Sequence, residues 1–374
     1  MKTAAFGDVL RLSYGKALKQ ADRSGGGPIP VVGSGGIVGW HETGLTPGPT
    51  VVVGRKGSIG SVTWVDGPAW PIDTAYFVES IGEGVHLRWT YWLLQSLGLN
   101  GMNKSAAVPG LNREDVYRLT IPLPPLEEQR RIAAILDHAD ALRAKRRQIL
   151  AHLDSLPFAI LRSALGQLAG RSVTPRPAAG QPAGFTWVKL TDVARLATGH
   201  TPDRKRPEYW SGDISWLSLP EIRALDGQVV ERTAFQVAQA GIDASSAVVL
   251  PAGTVCFSRT ASLGFVTLMG APMATSQDFH NWVPGPRLHP EYLMAALRSS
   301  RNHLIAGSDG STHRTIYQRA AQKFHILLPS RETQNEIAVF SKCLREQRTQ
   351  AQQSVAAHDE LFASLQARAF RGEL

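Results

Sequence analysis

The sequence predicts an α+β protein with an internal repeat, in which two irregular globular blocks are each followed by a long helix. Three observations support this prediction. Matching segments recur in the same order, short β-rich runs are punctuated by Gly and Pro, and apolar residues return at heptad spacing after each block. We expect the two helices to pair as an antiparallel coiled coil, which makes the repeat pseudo-twofold.

The repeat sets the expected domain boundaries. The distance between matched segments grows by about 20 residues after the first pair, so the second half carries an insertion between Gly199 and Ser258. The matched pairs are 6–12 with 190–196, 54–60 with 258–264, and 121–129 with 326–334. The predicted domains are the blocks 1–125 and 187–330, the helices 126–168 and 331–374, and a flexible Pro- and Gly-rich linker at 169–186.

Composition and charge narrow the class of protein. The chain has 374 residues, enough for two or three domains, and 43% of them are apolar, which excludes global disorder. Lys and Arg number 40 against 31 Asp and Glu, which leaves a net charge of +9. This balance favours a polyanionic partner, with nucleic acid the first candidate; the alternative is a protein that merely happens to be basic.

The cysteine content and the lengths of the apolar runs exclude several classes of protein. The two cysteines cannot build a disulfide framework or a four-cysteine zinc site. No apolar run approaches the roughly 18 residues of a membrane span, and the N-terminal residues lack the apolar core of a signal peptide. We therefore expect a cytoplasmic protein with no membrane partner.

The turn 54–60 is the best candidate for nucleic-acid contact. Its three glycines allow close backbone approach, its two cations suit phosphate or base edges, and Arg259 recurs at the matching place. The alternative is an exposed hairpin turn whose charges are only solvated. The candidate DNA-binding residues are Lys16, Ser34, Arg55, Lys56, Ser58, Lys104, Arg204, Lys205, Arg259, Thr260, Ser262, His313 and Arg314.

Each long helix follows a proline-containing turn that prevents it from extending backwards. The first has acidic residues in its first turn and a nearly continuous apolar seam, and Pro157 is expected to bend it. The seam of the second is more polar. The candidate coiled-coil or subunit-interface residues are Ile132, Ile135, Leu142, Ile149, Leu153, Ile337, Phe340, Leu344 and Leu361.

Sequence signatures of catalysis are missing. The chain has no Asn/Asp-Pro-Pro-Tyr/Phe segment of an adenine methyltransferase, no phosphate-binding loop of the Walker type and no His-Glu-x-x-His zinc motif. The segment 203–205 is the only Asp/Glu-x-Lys, and no Pro-Asp precedes it as a nuclease site of that kind requires. We predict no catalytic residues and no metal ligands, although an enzyme with a dispersed site stays an alternative.

The residues quoted above resemble the specificity subunit of type I restriction–modification systems. The resemblance covers the whole chain and is most specific at 121–136, at 326–337 and in the terminal Ala-Phe-Arg-Gly-Glu-Leu, 369–374. The segment 29–36 is also similar to the start of many target recognition domains of this family. Two departures are a second turn without a double proline and a short first block.

The resemblance implies a DNA-binding subunit that is not itself an enzyme. Each block would be a target recognition domain for one half of a bipartite sequence in double-stranded DNA, and the helices would fix the spacer. Two copies of a modification subunit would dock on the helices and carry S-adenosylmethionine chemistry. Restriction subunits could join and cleave DNA with ATP and Mg²⁺, so this chain would need no cofactor.

Two further alternatives stay open from the sequence. The chain could be the recognition module of a related system with a single fused nuclease–methyltransferase. It could also be a coiled-coil scaffold that binds only protein, although that would leave the net charge and the repeated basic turn unexplained.

Overall fold

The computed structural model describes residues 2–23, 26–102, 110–177, 180–306 and 315–374. The chain divides into two compact units. Unit 1 consists of Met1–Arg147 and Gln353–Leu374, and unit 2 consists of Gln148–Gln352. Each long helix therefore contributes one part to each unit.

Unit 1 contains nine strands, three short helices, the first part of one long helix and, from residue 353 onwards, the last part of another among its described residues. The elements are β1 (Thr3–Ala5), α1 (Phe6–Val9), β2 (Leu10–Tyr14), β3 (Ile29–Gly33), β4 (Gly36–His41), β5 (Thr50–Gly54), β6 (Val62–Val65), β7 (Trp70–Pro71), β8 (Ala75–Ile81), α2 (Leu87–Ser96), α3 (Arg113–Tyr117), β9 (Thr120–Pro122) and α4 (Leu126–Leu165).

The strands of unit 1 form a four-stranded sheet, a three-stranded sheet and a two-stranded pair. The orders are β2-β8-β5-β6, β4-β3-β7 and β1-β9. In the four-stranded sheet Leu10 pairs with Ile81 at one end and Tyr14 pairs with Tyr76 at the other. Because α1 leads into β2 and α4 follows β9, the long helix begins near the end that holds Leu10.

Helix residues complete the core of unit 1. Trp89 and Trp92 of α2 lie beneath the sheet with Ile132 of α4, and all three are at most 1% exposed. Phe362 also belongs to this core, from the part of the last helix that lies in unit 1. The globular block is therefore closed by residues from both long helices.

Unit 2 contains the rest of α4 and a larger set of elements. These are β10 (Val173–Thr174), β11 (Phe185–Lys189), β12 (Ala194–Thr198), β13 (Ile214–Leu217), α5 (Leu219–Ile222), β14 (Val229–Val230), β15 (Phe235–Val237), α6 (Gln239–Asp243), β16 (Val255–Ser258), β17 (Val266–Met269), β18 (Ala274–Thr275), β19 (Phe279–Pro284), α7 (Pro290–Ser299), α8 (Arg301–Ala306), α9 (Gln318–Ala321), β20 (His325–Pro329) and α10 (Arg331–Arg371).

The sheets of unit 2 repeat those of unit 1 strand by strand. The order β12-β19-β16-β17 repeats β2-β8-β5-β6, and β15-β13-β18 repeats β4-β3-β7, including one antiparallel and one parallel pairing in each. The additional strands β14 and β10 lie at sheet edges. The predicted internal repeat and α+β class are thus confirmed.

Much of the predicted insertion lies in one connection. In unit 1 the strands β3 and β4 are joined by the tight turn Ser34–Gly35. In unit 2 the matching strands β13 and β15 are joined by residues 218–234, which include α5 and β14.

The long helices run antiparallel where they meet inside unit 1. Arg131 Nη2 donates to the carbonyl of Leu374 at 2.7 Å, and Arg143 Nε donates to Asp359 Oδ1 at 2.8 Å. As residue numbers rise along α4 they fall along α10, which confirms the antiparallel prediction. The helix α4 continues through Pro157 without interruption.

The start of the predicted linker differs from the expectation of a flexible segment. Ser172 and Val173 are fully buried, and β10 pairs with β20. The reason is packing, since Ala169 and Val173 join the core of unit 2.

Candidate nucleic-acid interface

Three loops of unit 1 meet at the end of the four-stranded sheet opposite the start of α4. The loop 15–19 follows β2, the turn 55–60 joins β5 to β6, and the turn 72–74 precedes β8. Gly15 donates its N–H to the carbonyl of Ala75 at 3.0 Å, and Arg55 donates its N–H to Thr74 at 2.9 Å. We call these three segments the unit 1 loop cluster.

The side chain of Arg55 is held inside this cluster. Its Nη2 donates to the carbonyl of Asp73 at 2.7 Å. Its guanidinium carbon lies 5.1 Å from the ring centroid of Tyr14 and 6.0 Å from that of Tyr76. Its Nε is buried and has no hydrogen-bond partner among the described residues. The guanidinium is therefore pre-oriented and keeps one unused donor.

Unit 2 has a matching loop cluster built from 199–206, 259–264 and 276–278. His200 donates its N–H to Thr275 at 3.0 Å, and Arg259 donates its N–H to Asp278 at 2.9 Å. Nε of Arg259 is also buried without a partner in the part of the chain that the structure describes. The two arginines predicted from the repeat thus occupy equivalent positions.

A second pair of equivalent contacts fixes the backbone beside each arginine. In unit 1 the carbonyl of Arg55 accepts the N–H of Leu111 at 2.9 Å, and the Tyr76 hydroxyl donates to the carbonyl of Leu111 at 3.0 Å. In unit 2 the carbonyl of Arg259 accepts the N–H of Ile316 at 2.9 Å, and His280 Nε2 donates to Ile316 at 2.8 Å. We call this arrangement the arginine latch.

The pKa values of Tyr76 and His280, the side chains that close the two latches, are shifted in opposite directions. Burial, with Tyr14 beside it, raises the pKa of Tyr76 to about 12. Burial lowers the pKa of His280 to about 4; the bond to Ile316 opposes this shift, and the charge of Arg259 adds to it. Both side chains are therefore neutral near pH 7, and His280 donates from Nε2.

The structure brings four other predicted residues of unit 1 to the same end of the sheet. Lys16 and Lys56 are exposed, and neither forms an ion pair within the described residues. Ser34, at the tip of the β3–β4 turn, lies against the turn that carries Ser58, because the Ser61 hydroxyl donates to the carbonyl of Ser34. Lys104 lies outside the described residues.

In unit 2 the predicted residues are more often engaged within the protein. The guanidinium carbon of Arg204 lies 5.3 Å and 5.5 Å from two indole centroids, of Trp210 and Trp216. Thr260 Oγ1 is 3.2 Å from Thr315 Oγ1. Ser262 Oγ accepts from Arg223 Nε, while Lys205 is exposed, and His313 and Arg314 lie outside the described residues.

Two residues beside the unit 1 loop cluster were not predicted from the sequence: Tyr14 at the end of β2 and Arg113 in α3. Tyr14 is 50% exposed, and the guanidinium carbons of Arg55 and Arg113 lie 5.1 and 5.2 Å from its ring centroid. An aromatic residue at the end of a strand has the same pattern as a core residue, so no sequence signal distinguishes this role.

A buried glutamine connects each long helix to its globular block. Gln129 Oε1 accepts the N–H of His86 at 2.8 Å, and its Nε2 donates to the carbonyls of Gly84 and Pro124 at 2.9 and 2.8 Å. Gln334 makes the equivalent bonds, with the N–H of His289 at 2.7 Å. These glutamines explain why Glu-x-Gln recurs after each proline turn.

The predicted helix-interface residues separate into three groups. Ile132, Ile337 and Leu344 are buried; Ile135 and Leu153 are half-buried; Leu142, Ile149, Phe340 and Leu361 are 37–57% exposed. Leu142 and Leu361, the members of the exposed group that belong to unit 1, border an apolar groove of about 450 Å³ between α4 and α10. Its apolar lining consists of Ala134, Ile135, Ala139, Leu142, Leu361 and Leu365.

Comparison with known families identifies the class of protein to which a chain with these two loop clusters belongs. The family model described as the type I restriction modification DNA specificity domain matches residues 1–154 and again residues 182–352. Because the matches cover most of the chain, it belongs to this family, and the family predicted from the sequence is confirmed.

Three similar curated proteins are specificity subunits of type I restriction enzymes. The MjaIX subunit of Methanocaldococcus jannaschii is 28% identical over 152 residues, which are 40% of this chain and 35% of that protein. The HindI subunit of Haemophilus influenzae is 24% identical over 172 residues, 44% of this chain and 37% of that protein. The EcoprrI subunit of Escherichia coli is 32% identical over 114 residues, 30% and 28% of the two chains. The matched part therefore spans about a third of each relative.

Solved structures share the fold over nearly the whole chain. The S subunit of a type I restriction–modification system from M. genitalium has a TM-score of 0.65 at 13% identity, covering 99% of this chain and 96% of its own. A chain solved in work on complex assembly and conformational transition of the type I R-M system has a TM-score of 0.61 at 17% identity, covering 100% and 98%. At these identities the likeness establishes the fold alone. Within the described residues, no helix is both long and apolar enough to cross a membrane.

Proposed function

We propose that this chain is the specificity subunit of a type I restriction–modification complex and that each unit binds one half of a bipartite DNA target. The observation that carries the proposal is the arginine latch, which occurs twice at the same place in two domains of a DNA specificity family. A single chain with two such domains can read an asymmetric target, as dimers read two half-sites.

Each loop cluster would contact DNA in two ways. Exposed lysines such as Lys16 and Lys56 would bind phosphates and position the unit. The terminal nitrogens of Arg55 and Arg259 would approach base edges, and Arg55 is held ready for this contact by the carbonyl of Asp73 and the ring of Tyr14. Tyr14 would support Arg55 by stacking.

The chemistry would reside on partner subunits. Two copies of a modification subunit would bind S-adenosylmethionine and flip the target base into their own pockets. Restriction subunits, where present, would use ATP and Mg²⁺. The chain would act without a cofactor of its own, in the cytoplasm, where these partners meet foreign DNA.

The apolar groove of unit 1 is the proposed docking face for a modification subunit. Leu142 and Leu361 expose 37% and 54% of their surface there, and an apolar groove between two helices suits an amphipathic helix of a partner. The family match supports this choice of partner, because specificity subunits of these systems act inside a complex.

A methylation map tests the proposal. The chain is co-expressed with the adjacent modification gene in a host without methylation, and modified adenines are located by single-molecule sequencing. We expect a bipartite motif with a fixed spacer that disappears when this chain is omitted. Soluble, associated subunits that produce no new methylation would contradict the proposal and favour the scaffold alternative.

A further inference from the structure

The matching turns of the two units differ in what their polar side chains bind. Ser58 and Ser262 occupy the same position in the β5–β6 and β16–β17 turns. The hydroxyl of Ser262 accepts from Arg223 Nε at 3.2 Å. The hydroxyl of Ser58 forms no hydrogen bond within the described residues and is exposed. The hydroxyl of Ser58 is therefore uncovered among the described residues, whereas the equivalent hydroxyl of Ser262 is covered by a guanidinium group.

The difference has a cause in the connection after the preceding strand. In unit 2 the segment 218–234 carries Arg223 onto the turn that contains Ser262. In unit 1 the tight turn Ser34–Gly35 takes the place of that segment. Nothing equivalent to Arg223 covers Ser58 in the part of unit 1 that the structure describes.

The two turns of unit 1 lie directly against each other. The Ser61 hydroxyl donates to the carbonyl of Ser34. A Cβ atom built on Gly57 would lie 3.4 Å from Ser34 Oγ, and one built on Gly35 would lie 3.4 Å from Ser58 Oγ. Two unbonded hydroxyls are thus brought to one site whose glycines leave the backbone accessible.

A positive charge adjoins these hydroxyls. Lys56 immediately precedes Gly57, its side chain is exposed, and it has no ion pair among the described residues. Glycines, two hydroxyl donors and an ammonium group together suit a tetrahedral anion with several acceptor oxygens. No carboxylate is paired with any of them in the described part of unit 1.

We propose that Ser34, Lys56 and Ser58 form a cradle for one phosphodiester group of the DNA backbone, and that unit 2 anchors its DNA differently. This inference rests on the proposed function and assigns one of its contacts. The cradle binds phosphate and reads no base. Unit 1 therefore contributes affinity at this point without contributing sequence preference.

The test is DNA binding by the full-length chain over a series of KCl concentrations. The probes are fluorescein-labelled duplexes of several arbitrary sequences. We expect Lys56→Ala to reduce the slope of log affinity against log salt by about 0.9, which is the loss of one phosphate contact. The double variant Ser34→Ala with Ser58→Ala should bind every duplex roughly tenfold more weakly, with unchanged preference between sequences.

Matched controls lie at the opposite end of the unit. Ser80 and Lys2 are exposed and lie away from the loop cluster, so Ser80→Ala and Lys2→Ala should bind as the wild type does. Thermal unfolding of each variant should be unchanged, because all the substituted side chains are exposed or half-exposed.

Three results would overturn the inference in distinguishable ways. If the wild type binds duplex and the cradle variants bind it with the same affinity and salt slope, the cradle is rejected and the proposed function still stands. A wild-type chain that binds no duplex, alone or with its modification subunit, rejects both. Saturable binding of inorganic phosphate that leaves duplex affinity unchanged assigns the site to a small anion instead.

Discussion

Arg55 and Arg259, one in each loop cluster, are the side chains that we expect to contact bases. If either reads a base, its replacement by alanine should cost about 1–3 kcal/mol of binding free energy and relax preference in one half-site only. The measurement is affinity for the mapped target and for targets altered in either half. Arg11→Ala is the control, because Arg11 is an exposed cation paired with Glu79 on a sheet strand. Unchanged affinity for both variants would reject the contact.

The backbone of the turns gives a second prediction at the scale of single residues. Gly57 and the equivalent Ala261 both have left-handed φ angles, +75° and 53°. That conformation costs an L-residue about 1–2 kcal/mol. We expect Gly57→Ala to lower the free energy of unfolding by about 1 kcal/mol and Ala261→Gly to raise it by less, since glycine also stabilises the unfolded chain.

Denaturant unfolding measures both effects. Gly67→Ala is the control, since Gly67 has open space around its Cα and no left-handed φ angle. If Gly57→Ala and Gly67→Ala lower the free energy of unfolding equally, the left-handed conformation of Gly57 is not the cause of the loss.

His280 makes the stability of unit 2 depend on pH. Burial lowers its pKa to about 4, whereas the unfolded histidine has an ordinary pKa near 6.5. The unfolded state therefore binds more protons as pH falls from about 6.5 to 4, and stability falls by up to about 1.4 kcal/mol per pH unit. Above about pH 6.5 His280 is neutral in both the folded and the unfolded state, so its ionisation no longer changes the free energy of unfolding.

The variant His280→Gln keeps a hydrogen-bond donor and removes the ionisation. Unfolding free energies of the two proteins should be compared between pH 7 and 5. We expect the wild type to lose more stability on acidification than the variant. Parallel pH profiles would contradict this assignment. His289 and His303 have pKa values lowered by burial in the same direction, so the difference between proteins is the relevant quantity.

Among the elements, the glutamine that follows each proline turn is the strongest determinant of how a long helix leaves its block. Gln129 is fully buried and bonds one N–H and two carbonyls; its bond to the carbonyl of Pro124 is buried, and those to His86 and Gly84 are partly buried. Gln129→Ala should lower the free energy of unfolding by about 3 kcal/mol, because those groups stay buried or partly buried without partners.

Urea unfolding with the control Gln148→Ala checks this prediction, since Gln148 is exposed on the same helix. A loss no larger than that of the control would show that the motif serves another purpose.

The elements also show what the sequence could predict. The segments 87–97 and 290–300 have a helical pattern in the sequence, and helices are observed there at Leu87–Ser96 and Pro290–Ser299, because strong local patterns determine them. The proline turns correctly set the starts of α4 and α10. The pairing of β3 with β7, or of Tyr14 with Arg113, joins residues far apart in sequence, and no local pattern specifies such contacts.

The heptad seam illustrates an ambiguity of a different kind. Its spacing predicts an apolar stripe but not what covers that stripe. Ile132 packs into the core of the globular block, while Leu142 lies in an open groove. The same heptad spacing therefore produces both a buried core contact and an open groove, and only the folded structure shows which residues belong to each.

For the whole molecule, the groove of unit 1 predicts how the subunit assembles. Leu142→Asp with Leu361→Asp should abolish association with the modification subunit, because two carboxylates would have to be buried in an apolar contact. Folding should be retained, since both side chains are 37% or more exposed.

Co-purification and calorimetric titration with the modification subunit are the measurements. Ala151→Asp, an exposed substitution on the same helix and outside the groove, should associate normally. Undiminished association of the groove variant would place the docking face elsewhere.

The composition of unit 1 from two distant stretches has a consequence for synthesis of the protein. Phe362 and Ala369 fill the core formed by the first 147 residues, so that core stays open on the ribosome until residues 353–374 have been synthesised. Unit 2 already has its whole chain, Gln148–Gln352, by then. The half that is made first is thus completed last, and premature termination within 353–374 would leave its apolar interior exposed to chaperones and proteases.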